Sequence, residues 1–241
     1  MRESAIVRLL GAPATERVVI ADAETEADLA AAVARMNAAG GEWVAVGSGA
    51  LARAVVGAGA TRPANRPARP ASGDGGAAVL FVCGSAHPVN RAQAARLAEA
   101  SGMLVRAIAS DGRPAETTGV ESAAMVAEEL RMGRMAGLQL AMRGGAGDFA
   151  TSRAALHAIV AAARVAIAGS GVRRLMVTGG ETAFALCRAL GLDALRVMSE
   201  IEPGLVLAEA GASGFWRLAI KPGGFGSEAA WVKAGEALRS A

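Results

Sequence analysis

The chain of 241 residues has no tyrosine, and aromatic residues of any kind make up only 3% of it. It has two lysines beside 23 arginines, and its formal net charge of +3 is small for its length. A nucleic-acid surface needs a concentrated basic face, often with aromatic side chains for stacking. The sequence has no such cluster, so we expect no nucleic-acid partner and assign little function to individual arginines.

Cysteine and histidine are scarce as well. Cys83 and Cys187 lie far apart in apolar stretches, which is typical of buried reduced thiols in a cytoplasmic protein. His87 and His157 are too far apart for a metal motif. The first ten residues are charged and have too short an apolar part for a secretory signal, and no uninterrupted apolar run is long enough to span a membrane. We therefore expect a soluble, cytoplasmic protein without a membrane partner.

Two widespread motifs for nucleotides and nucleophiles are missing too. The sequence has no G-x-x-x-x-G-K-[ST] stretch of a P-loop and no G-x-S-x-G nucleophile elbow. Residues 47–52, GSGALA, match G-x-G-x-x-A after a predicted strand, but a proline-rich stretch follows instead of the rest of a β-α-β unit. A nicotinamide-dependent oxidoreductase is therefore only an outside alternative.

Patterns typical of buried strands alternate with helical patterns along most of the chain. Apolar residues make up 53% of it, enough for a sizeable core. Strands are predicted at 17–23, 42–47, 77–85, 103–109, 173–180, 195–201 and 216–221. Helices are predicted at 25–41, 50–59, 90–102, 119–141, 151–168, 181–191 and 227–240. The alternation predicts an α/β fold with a mostly parallel sheet flanked by helices.

A change of composition divides the chain. Residues 59–76 are rich in proline and glycine and have almost no large apolar side chain, which is typical of a linker. We predict a small α/β domain at 1–58, a linker at 59–76 and a larger domain at 77–241. In the first of these, Thr25 and Asp28 have the spacing of a capping box at the start of a helix.

Ligands of open α/β sheets bind beyond the carboxyl ends of the strands, and the segment VCGSAHPVNRAQ, residues 82–93, lies at such a place. Gly84 and Ser85 directly follow a strand, and we expect Asn90 to cap the next helix. A hydroxyl and free backbone amides could hold a phosphate or a base there, and His87 could take part. The alternative is a plain strand-to-helix turn with an N-cap.

The segment VTGGETAFAL, residues 177–186, is a second such place. Gly179 and Gly180 remove side chains where backbone approaches something closely, and the amino end of a helix follows. Glu181 also suits a helix start electrostatically, and Thr182 adds a hydroxyl. Strand, Gly-Gly and helix together indicate an anion site.

Two further segments lie near the end of the chain. In SEIEPGLVL, residues 199–207, Glu200 and Glu202 could bind a ribose, or Mg²⁺ through water, or simply be solvated. In KPGGFG, residues 221–226, a lysine stands at a strand end before three glycines. A lysine ammonium binds phosphate as a point charge, although a turn with a solvated lysine is an equal alternative.

Taken in this order, the four segments resemble the four-carbon acid sugar kinase family, once catalogued as a domain of unknown function. The carboxyl-terminal half of that family has the stretches G-S-x-x-P-x-[TN]-x-x-Q, G-G-[ED]-T-[AS], E-I-x-P-G and K-S-G-[GN]-F-G. The residues that match them are Gly84, Ser85, Pro88, Asn90 and Gln93, then Gly179 to Ala183, then Glu200, Ile201, Pro203 and Gly204, then Lys221 and Gly223 to Gly226. Pro222 stands where the last stretch usually has serine, which removes a hydroxyl and stiffens the entry to the loop.

The resemblance implies that residues 77–241 are a nucleotide-binding domain and that residues 1–58 are a remnant of the sugar-acid-binding domain. Residues 18–29 and 44–55 resemble the end of that first domain, whereas its acidic D-D-x-T-G stretch is not found in this sequence. The implied reaction is ATP-dependent phosphorylation of a hydroxyl of a four-carbon sugar acid of the tetronate type, with Mg²⁺ bridging the phosphates. The catalytic base normally comes from the first domain and is not assigned here.

The resemblance also implies a set of nucleotide-binding residues, in which Lys221 and the glycines after it form a phosphate loop. The set comprises Ser85, Asn90, Gln93, Gly179, Gly180, Glu181, Thr182, Glu200, Gly204, Lys221, Gly223, Gly224 and Gly226. Three hypotheses about the chain stay open. It is a kinase whose sugar site is completed by a separate chain or in a homodimer, or a non-catalytic nucleotide-binding regulator, or a truncated remnant without function.

Overall fold

The structure is a computed structural model that describes residues 18–57, 78–85, 87–109, 119–141, 149–211 and 216–240. The chain divides into two compact units, Met1–Ala64 and Asn65–Ala241. The predicted linker at 59–76 lies outside the described residues.

The described part of the first unit contains two helices, α1 (Glu26–Ala39) and α2 (Gly49–Gly57). The predicted capping box is confirmed: the Thr25 hydroxyl accepts a hydrogen bond from the Asp28 N–H at 3.2 Å, and the Asp28 carboxylate accepts one from the Thr25 N–H at 2.8 Å. Helix α1 ends at Gly40, whose φ of 67° is accessible to glycine at little cost.

The prediction of two strands in this unit is wrong for the residues that the structure describes. Residues 18–23 and 42–47 form neither strand nor helix, and the side chains of Val44 and Val46 are each 88% exposed. A strand forms only where its backbone groups pair with those of a neighbour. The described part of this unit offers no partner strand, so the apolar pattern has no sheet to join.

The second unit is built around a seven-stranded mixed sheet, and the predicted α/β fold is confirmed. Its strands are β1 (Val79–Cys83), β2 (Leu104–Ala109), β3 (Met135–Ala141), β4 (Arg174–Thr178), β5 (Leu195–Glu202), β6 (Leu205–Ala210) and β7 (Trp216–Lys221). In space their order is β2-β3-β1-β4-β7-β6-β5. The first five pair in parallel, whereas β6 runs antiparallel to both of its neighbours.

Five helices in the described part of this unit cover both faces of the sheet. They are α3 (Pro88–Ser101), α4 (Val120–Arg131), α5 (Phe149–Ser170), α6 (Gly180–Ala189) and α7 (Ala230–Ser240). Helices α4, α5 and α6 share one core cluster with the sheet, and α3 and α7 share the other. Every residue of β1 is buried, as expected of a central parallel strand covered on both sides.

Helix α5 is long and apolar because it is a core helix. Its residues Arg153–Ser170 have the length and the mean hydropathy, 1.2, of a membrane-spanning helix, although two arginines interrupt the run. Its buried face consists largely of alanine, with Ile159 and Ile167, and packs into the core between the sheet and α4. This packing buries 39% of the stretch, so core contacts account for part of its apolar composition.

Two local predictions in this unit need correction. The helix predicted over 119–141 is instead α4 followed by β3, because the chain turns at Gly133, where φ is 74°. Asn90 does not cap α3. The N-cap is His87, whose Nδ1 accepts a hydrogen bond from the Val89 N–H at 3.3 Å, and Pro88 occupies the first turn.

Candidate functional site

The four chemically promising segments meet at one edge of the sheet. Because β1, β4 and β7 are parallel neighbours, their carboxyl ends lie side by side, with Cys83 opposite Thr178 and Thr178 opposite Lys221. Hydrogen bonds continue this order past the strand ends, from the Gly84 N–H to the Thr178 carbonyl and from the Gly179 N–H to the Lys221 carbonyl. The turn between β5 and β6 reaches the same edge because β6 runs antiparallel to β7.

Lys221 ends β7 and is fully buried. Its Nζ donates hydrogen bonds to the Asn90 Oδ1 and to the Gly223 carbonyl, each at 2.7 Å, and lies 5.6 Å from the ring centre of Trp231. Burial lowers the pKa of Lys221, while charges at Cys83 and Glu202 act in the opposite direction. The ammonium therefore lies beneath the segment 223–227, which we call the glycine loop, and holds its first carbonyl.

Gln93 holds the other end of the glycine loop. It lies on α3 and is 1% exposed. Its Nε2 lies within hydrogen-bonding distance of three successive carbonyls, those of Phe225 and Gly226 at 3.2 Å and that of Ser227 at 2.8 Å. Such a convergence of carbonyls on one amide fixes the direction of the loop backbone.

Glu202 ties the glycine loop to the turn between β5 and β6. Its carboxylate accepts hydrogen bonds from the Ser227 N–H at 2.7 Å, from the Ser227 hydroxyl at 2.9 Å and from the Lys233 Nζ at 2.9 Å. Burial by itself would raise the pKa of Glu202, but these hydrogen bonds outweigh it and the pKa is lowered. Lys233, on α7, therefore supports the loop from outside.

With its carbonyls held inward, the glycine loop keeps several N–H groups unused. Among the described residues, the N–H groups of Gly223, Gly224 and Gly226 have no hydrogen-bond partner. Gly223 and Gly226 have φ values of 44° and 89°. At Gly224, a Cβ would lie 2.6 Å from the ring of His87, so a larger residue would displace that side chain.

The start of α6 presents a second set of unused N–H groups. Its N-cap, Gly179, has a φ of 100° and no side chain to cap the helix. The first N–H group of the helix that donates a backbone hydrogen bond is that of Ala183. The N–H groups of Gly180, Glu181 and Thr182 therefore have no acceptor in the described part of the chain. An uncapped helix start attracts anions through these groups and the helix dipole.

The remaining predicted site residues lie at the same edge with more local contacts. The Ser85 hydroxyl accepts a hydrogen bond from the His87 N–H at 3.3 Å. Glu200 is exposed and its Oε1 accepts a hydrogen bond from the Gly204 N–H at 3.0 Å, which closes the turn where Gly204 has a φ of 82°. The Thr182 side chain is buried against Gly84, where a Cβ would overlap its hydroxyl.

Sequence reasoning missed the supports beneath the site. Trp231 is fully buried, packs edge-to-face on Phe81 at 5.3 Å and forms the floor under Lys221. Lys233 binds Glu202 from α7, a contact that no local pattern in the sequence indicates. The spacing of apolar residues on α7 marks Trp231 as a core residue, but nothing in the neighbouring sequence indicates which loop it supports.

Comparison with known proteins identifies the family. Residues 80–231 match the model of a nucleotide-binding C-terminal domain. A D-threonate kinase of Cupriavidus necator is 34% identical over 236 residues, which span 92% of this chain and 54% of that protein. A 3-oxo-tetronate kinase of Methylobacterium radiotolerans is 44% identical over 73 residues, covering 30% of this chain and 17% of that protein.

Solved structures show the same fold. A protein from Bordetella bronchiseptica, described as a domain of unknown function (DUF1537) with bound citrate and as a domain-swapped dimer, matches with a TM-score of 0.58 and 23% identity, over 100% of this chain and 62% of that one. A DUF1537 protein of Haemophilus influenzae matches with a TM-score of 0.58 and 20% identity, over 90% of this chain and 52% of that one. The match to the D-threonate kinase covers most of this chain but only about half of that kinase, so the chain spans about half the length of this relative. It belongs to the four-carbon acid sugar kinase family and carries the nucleotide-binding C-terminal domain of that family.

Proposed function

We propose that residues 77–241 bind ATP at the carboxyl edge of the sheet, with its phosphates at the glycine loop and at the start of α6. The observation that carries this proposal is the division of labour within the loop. Its carbonyls are held by Lys221 and Gln93, while the N–H groups of its three glycines stay unused. Free backbone N–H groups in a turn of glycines are suitable donors to a phosphate.

In this proposal Lys221 acts mainly through the loop. Its Nζ is buried and already has two oxygen partners, so its positive charge stabilises bound phosphates from beneath while its hydrogen bonds shape their binding site. Asn90 positions the ammonium, and Gln93 positions the loop. The predicted roles of Ser85, Glu181, Thr182 and Gly204 remain proposals on the same edge.

Mg²⁺ would accompany the nucleotide and neutralise charge on the phosphates during transfer. Glu200 is suited to interact with this ion through water, because it is exposed and its hydrogen bond from Gly204 uses only one of its oxygens. Glu202 is less suited, since Ser227 and Lys233 occupy both of its oxygens.

The overall reaction that we propose is phosphorylation of a hydroxyl of a four-carbon sugar acid, in line with the names of the similar kinases. In this proposal the residues that bind the sugar acid and accept the hydroxyl proton lie outside residues 77–241, and a separate chain or a second copy of this chain is one way to supply them. A cytoplasmic location fits the two free, buried thiols of Cys83 and Cys187.

Calorimetric titration of the full chain with Mg·ATP, and with a slowly hydrolysed analogue, tests the nucleotide site. We expect saturable binding with a dissociation constant in the range usual for enzyme substrates, roughly 1 μM to 1 mM. Gln93→Leu should weaken it at least about tenfold by releasing the loop carbonyls, since a lost buried hydrogen-bond partner is worth ~1–3 kcal/mol. Arg96→Gln, on an exposed part of α3, is the matched control.

Two results would contradict the proposal. The first is the absence of both heat and thermal stabilisation at saturating Mg·ATP. The second is equal affinity in wild type and Gln93→Leu, which would place the nucleotide elsewhere. A parallel fluorescence titration with NADH tests the oxidoreductase alternative. That alternative already lacks its structural context, because no strand precedes the GSGALA segment in the described residues.

A further inference from the structure

A cavity opens at the opposite, amino edge of the sheet. It lies where β4 and β7 begin and where α5 and α6 end, so its floor includes Trp216, the first residue of β7. Its volume is about 680 Å³, within the range of ~300–1,000 Å³ that small-molecule sites occupy. Val165, Ala168 and Leu190 contribute to its apolar walls.

Among the residues that the structure describes, two arginines and no acidic residue line this cavity. Arg164 is exposed on α5 and makes no hydrogen bond or ion pair within the described part of the chain. Arg173 has its guanidinium carbon 4.5 Å from the ring centre of Trp216 and donates one hydrogen bond, to the Val172 carbonyl at 3.3 Å. Stacking uses the face of a guanidinium, so most of its N–H donors stay available.

We propose that this cavity binds a small amphipathic anion, a molecule with an aliphatic or aromatic body and one carboxylate, phosphate or sulfonate group. The apolar walls and Trp216 receive the body, and Arg164 and Arg173 bind the head group. A purely polar anion would leave the walls without contacts, and an uncharged apolar molecule would leave both guanidinium groups without a partner.

The cavity is distinct from the proposed phosphate site but joined to it by two elements. Helix α6 begins at the uncapped phosphate end and finishes at Ala189 beside the cavity. Strand β7 begins at Trp216 in the cavity and ends at Lys221 beneath the glycine loop. The two sites therefore occupy opposite ends of the same unit, and the proposal does not depend on nucleotide binding.

Fluorescence of anilinonaphthalene sulfonate, an aromatic body with one sulfonate, provides a direct test on the full chain. We expect saturable binding of one dye, displaced by octanoate at least about tenfold more effectively than by octanol, because a charged partner strengthens hydrogen bonds to guanidinium. The double variant Arg164→Gln/Arg173→Gln should weaken dye binding at least about tenfold for the same reason.

Variants locate the bound dye. Ala168→Trp fills the cavity from an exposed helix position and should abolish saturable binding, whereas Arg96→Gln removes a charge from an exposed position on the other face and should leave it unchanged. Calorimetry with octanoate repeats the comparison without a dye. The proposal is overturned if no saturable binding occurs, or if neither the double arginine variant nor Ala168→Trp alters it.

Discussion

Two glycine-rich turns at the carboxyl edge of the sheet achieve the same exposure of backbone N–H groups by different means. In the glycine loop, Lys221 from β7 and Gln93 from α3 donate hydrogen bonds to the carbonyls, and Glu202 at the end of β5 accepts hydrogen bonds from the N–H and hydroxyl of Ser227. At the start of α6, no side chain in the described part of the chain caps the helix by a hydrogen bond. Gly179 alone sets the turn, with a φ of 100° and one backbone hydrogen bond to β7.

The difference has a consequence for substitutions. Removing a support of the glycine loop leaves buried polar groups without partners, so stability and phosphate binding should fall together. A Cβ added at Gly180, the first residue of α6, meets no atom within 4 Å, so a side chain there should interfere only with a ligand. The two turns thus offer a way to separate a folding defect from a binding defect in one protein.

Lys221→Met should have the largest effect. Methionine keeps most of the volume but leaves the Asn90 Oδ1 and the Gly223 carbonyl without their donor. We expect a loss of about 2–4 kcal/mol in the free energy of unfolding, because unsatisfied buried groups cost ~1–3 kcal/mol each and removal of a buried charge offsets part of this. The affinity for Mg·ATP should fall about 100-fold, equivalent to ~2.7 kcal/mol. Urea unfolding and calorimetry well below the melting temperature measure the two losses.

Lys233→Met is the control for this variant. Lys233 also reaches the loop region, but its side chain is 49% exposed and acts through Glu202. Such a pair is worth ~0–1 kcal/mol, so we expect at most about a fivefold loss of affinity. If the two lysine variants bind Mg·ATP equally well, the role assigned to Lys221 is wrong.

How much of the carboxyl edge of the sheet could be predicted from the sequence depends on how far apart in the chain the interacting residues lie. Buried apolar runs predicted five of the seven strands, β1, β2, β4, β5 and β7, but not β3 and β6. Glycines at strand ends predicted the turns, because both signals are local. The glycine at position 133 is also a local signal, but the apolar spacing predicted one helix through to residue 141 and so missed the turn there. The strand predicted at 42–47 failed for the opposite reason, since pairing depends on a neighbour that the segment itself does not specify.

The contacts beneath the site could not be predicted in the same way. Lys221 and Asn90 are 131 positions apart, and Gln93 lies 134 positions from Ser227. The motif resemblance implied that Lys221, Asn90 and Gln93 belong to one nucleotide-binding set, with the ammonium in a phosphate loop, whereas the residue pattern alone predicted Asn90 as a helix cap. Only the packing of α3 against β7 and α7 shows that the two side chains bind each other.

Gly180→Val should affect binding without affecting stability. A Cβ at Gly180 meets no atom within 4 Å, and valine is at least as favourable as glycine in a helix, so the free energy of unfolding should change by less than ~1 kcal/mol. The affinity for Mg·ATP should fall at least about tenfold, since the branched side chain blocks the approach of a phosphate to the N–H groups. Calorimetry and thermal unfolding of the same sample measure both quantities.

Gly49→Val is the matched control for Gly180→Val. Gly49 is also the first residue of a helix, and a Cβ there likewise meets no atom within 4 Å. It belongs to the GSGALA segment, so it also tests the oxidoreductase alternative. Unchanged affinity in Gly180→Val, or an equal loss in Gly49→Val, would rule out a phosphate at the start of α6.

Glu202→Gln should give the smallest effect and a characteristic pH dependence. The pKa of Glu202 is lowered, because hydrogen bonds from Lys233 and Ser227 outweigh its burial, whereas an unfolded glutamate titrates at about pH 4.3. As the pH falls below that value, the unfolded chain takes up this proton first, so the stability contributed by Glu202 is present above about pH 4.3 and is lost on acidification through the folded-state pKa. We therefore expect the difference in free energy of unfolding between wild type and Glu202→Gln to be largest at neutral pH and to shrink in acid.

Lys233→Met, which lacks one donor to the carboxylate, should show a weaker acid dependence than wild type. Urea unfolding across this pH range measures both, and a difference that stays constant with pH would show that the hydrogen bonds to Ser227 and Lys233 do not hold this end of the glycine loop.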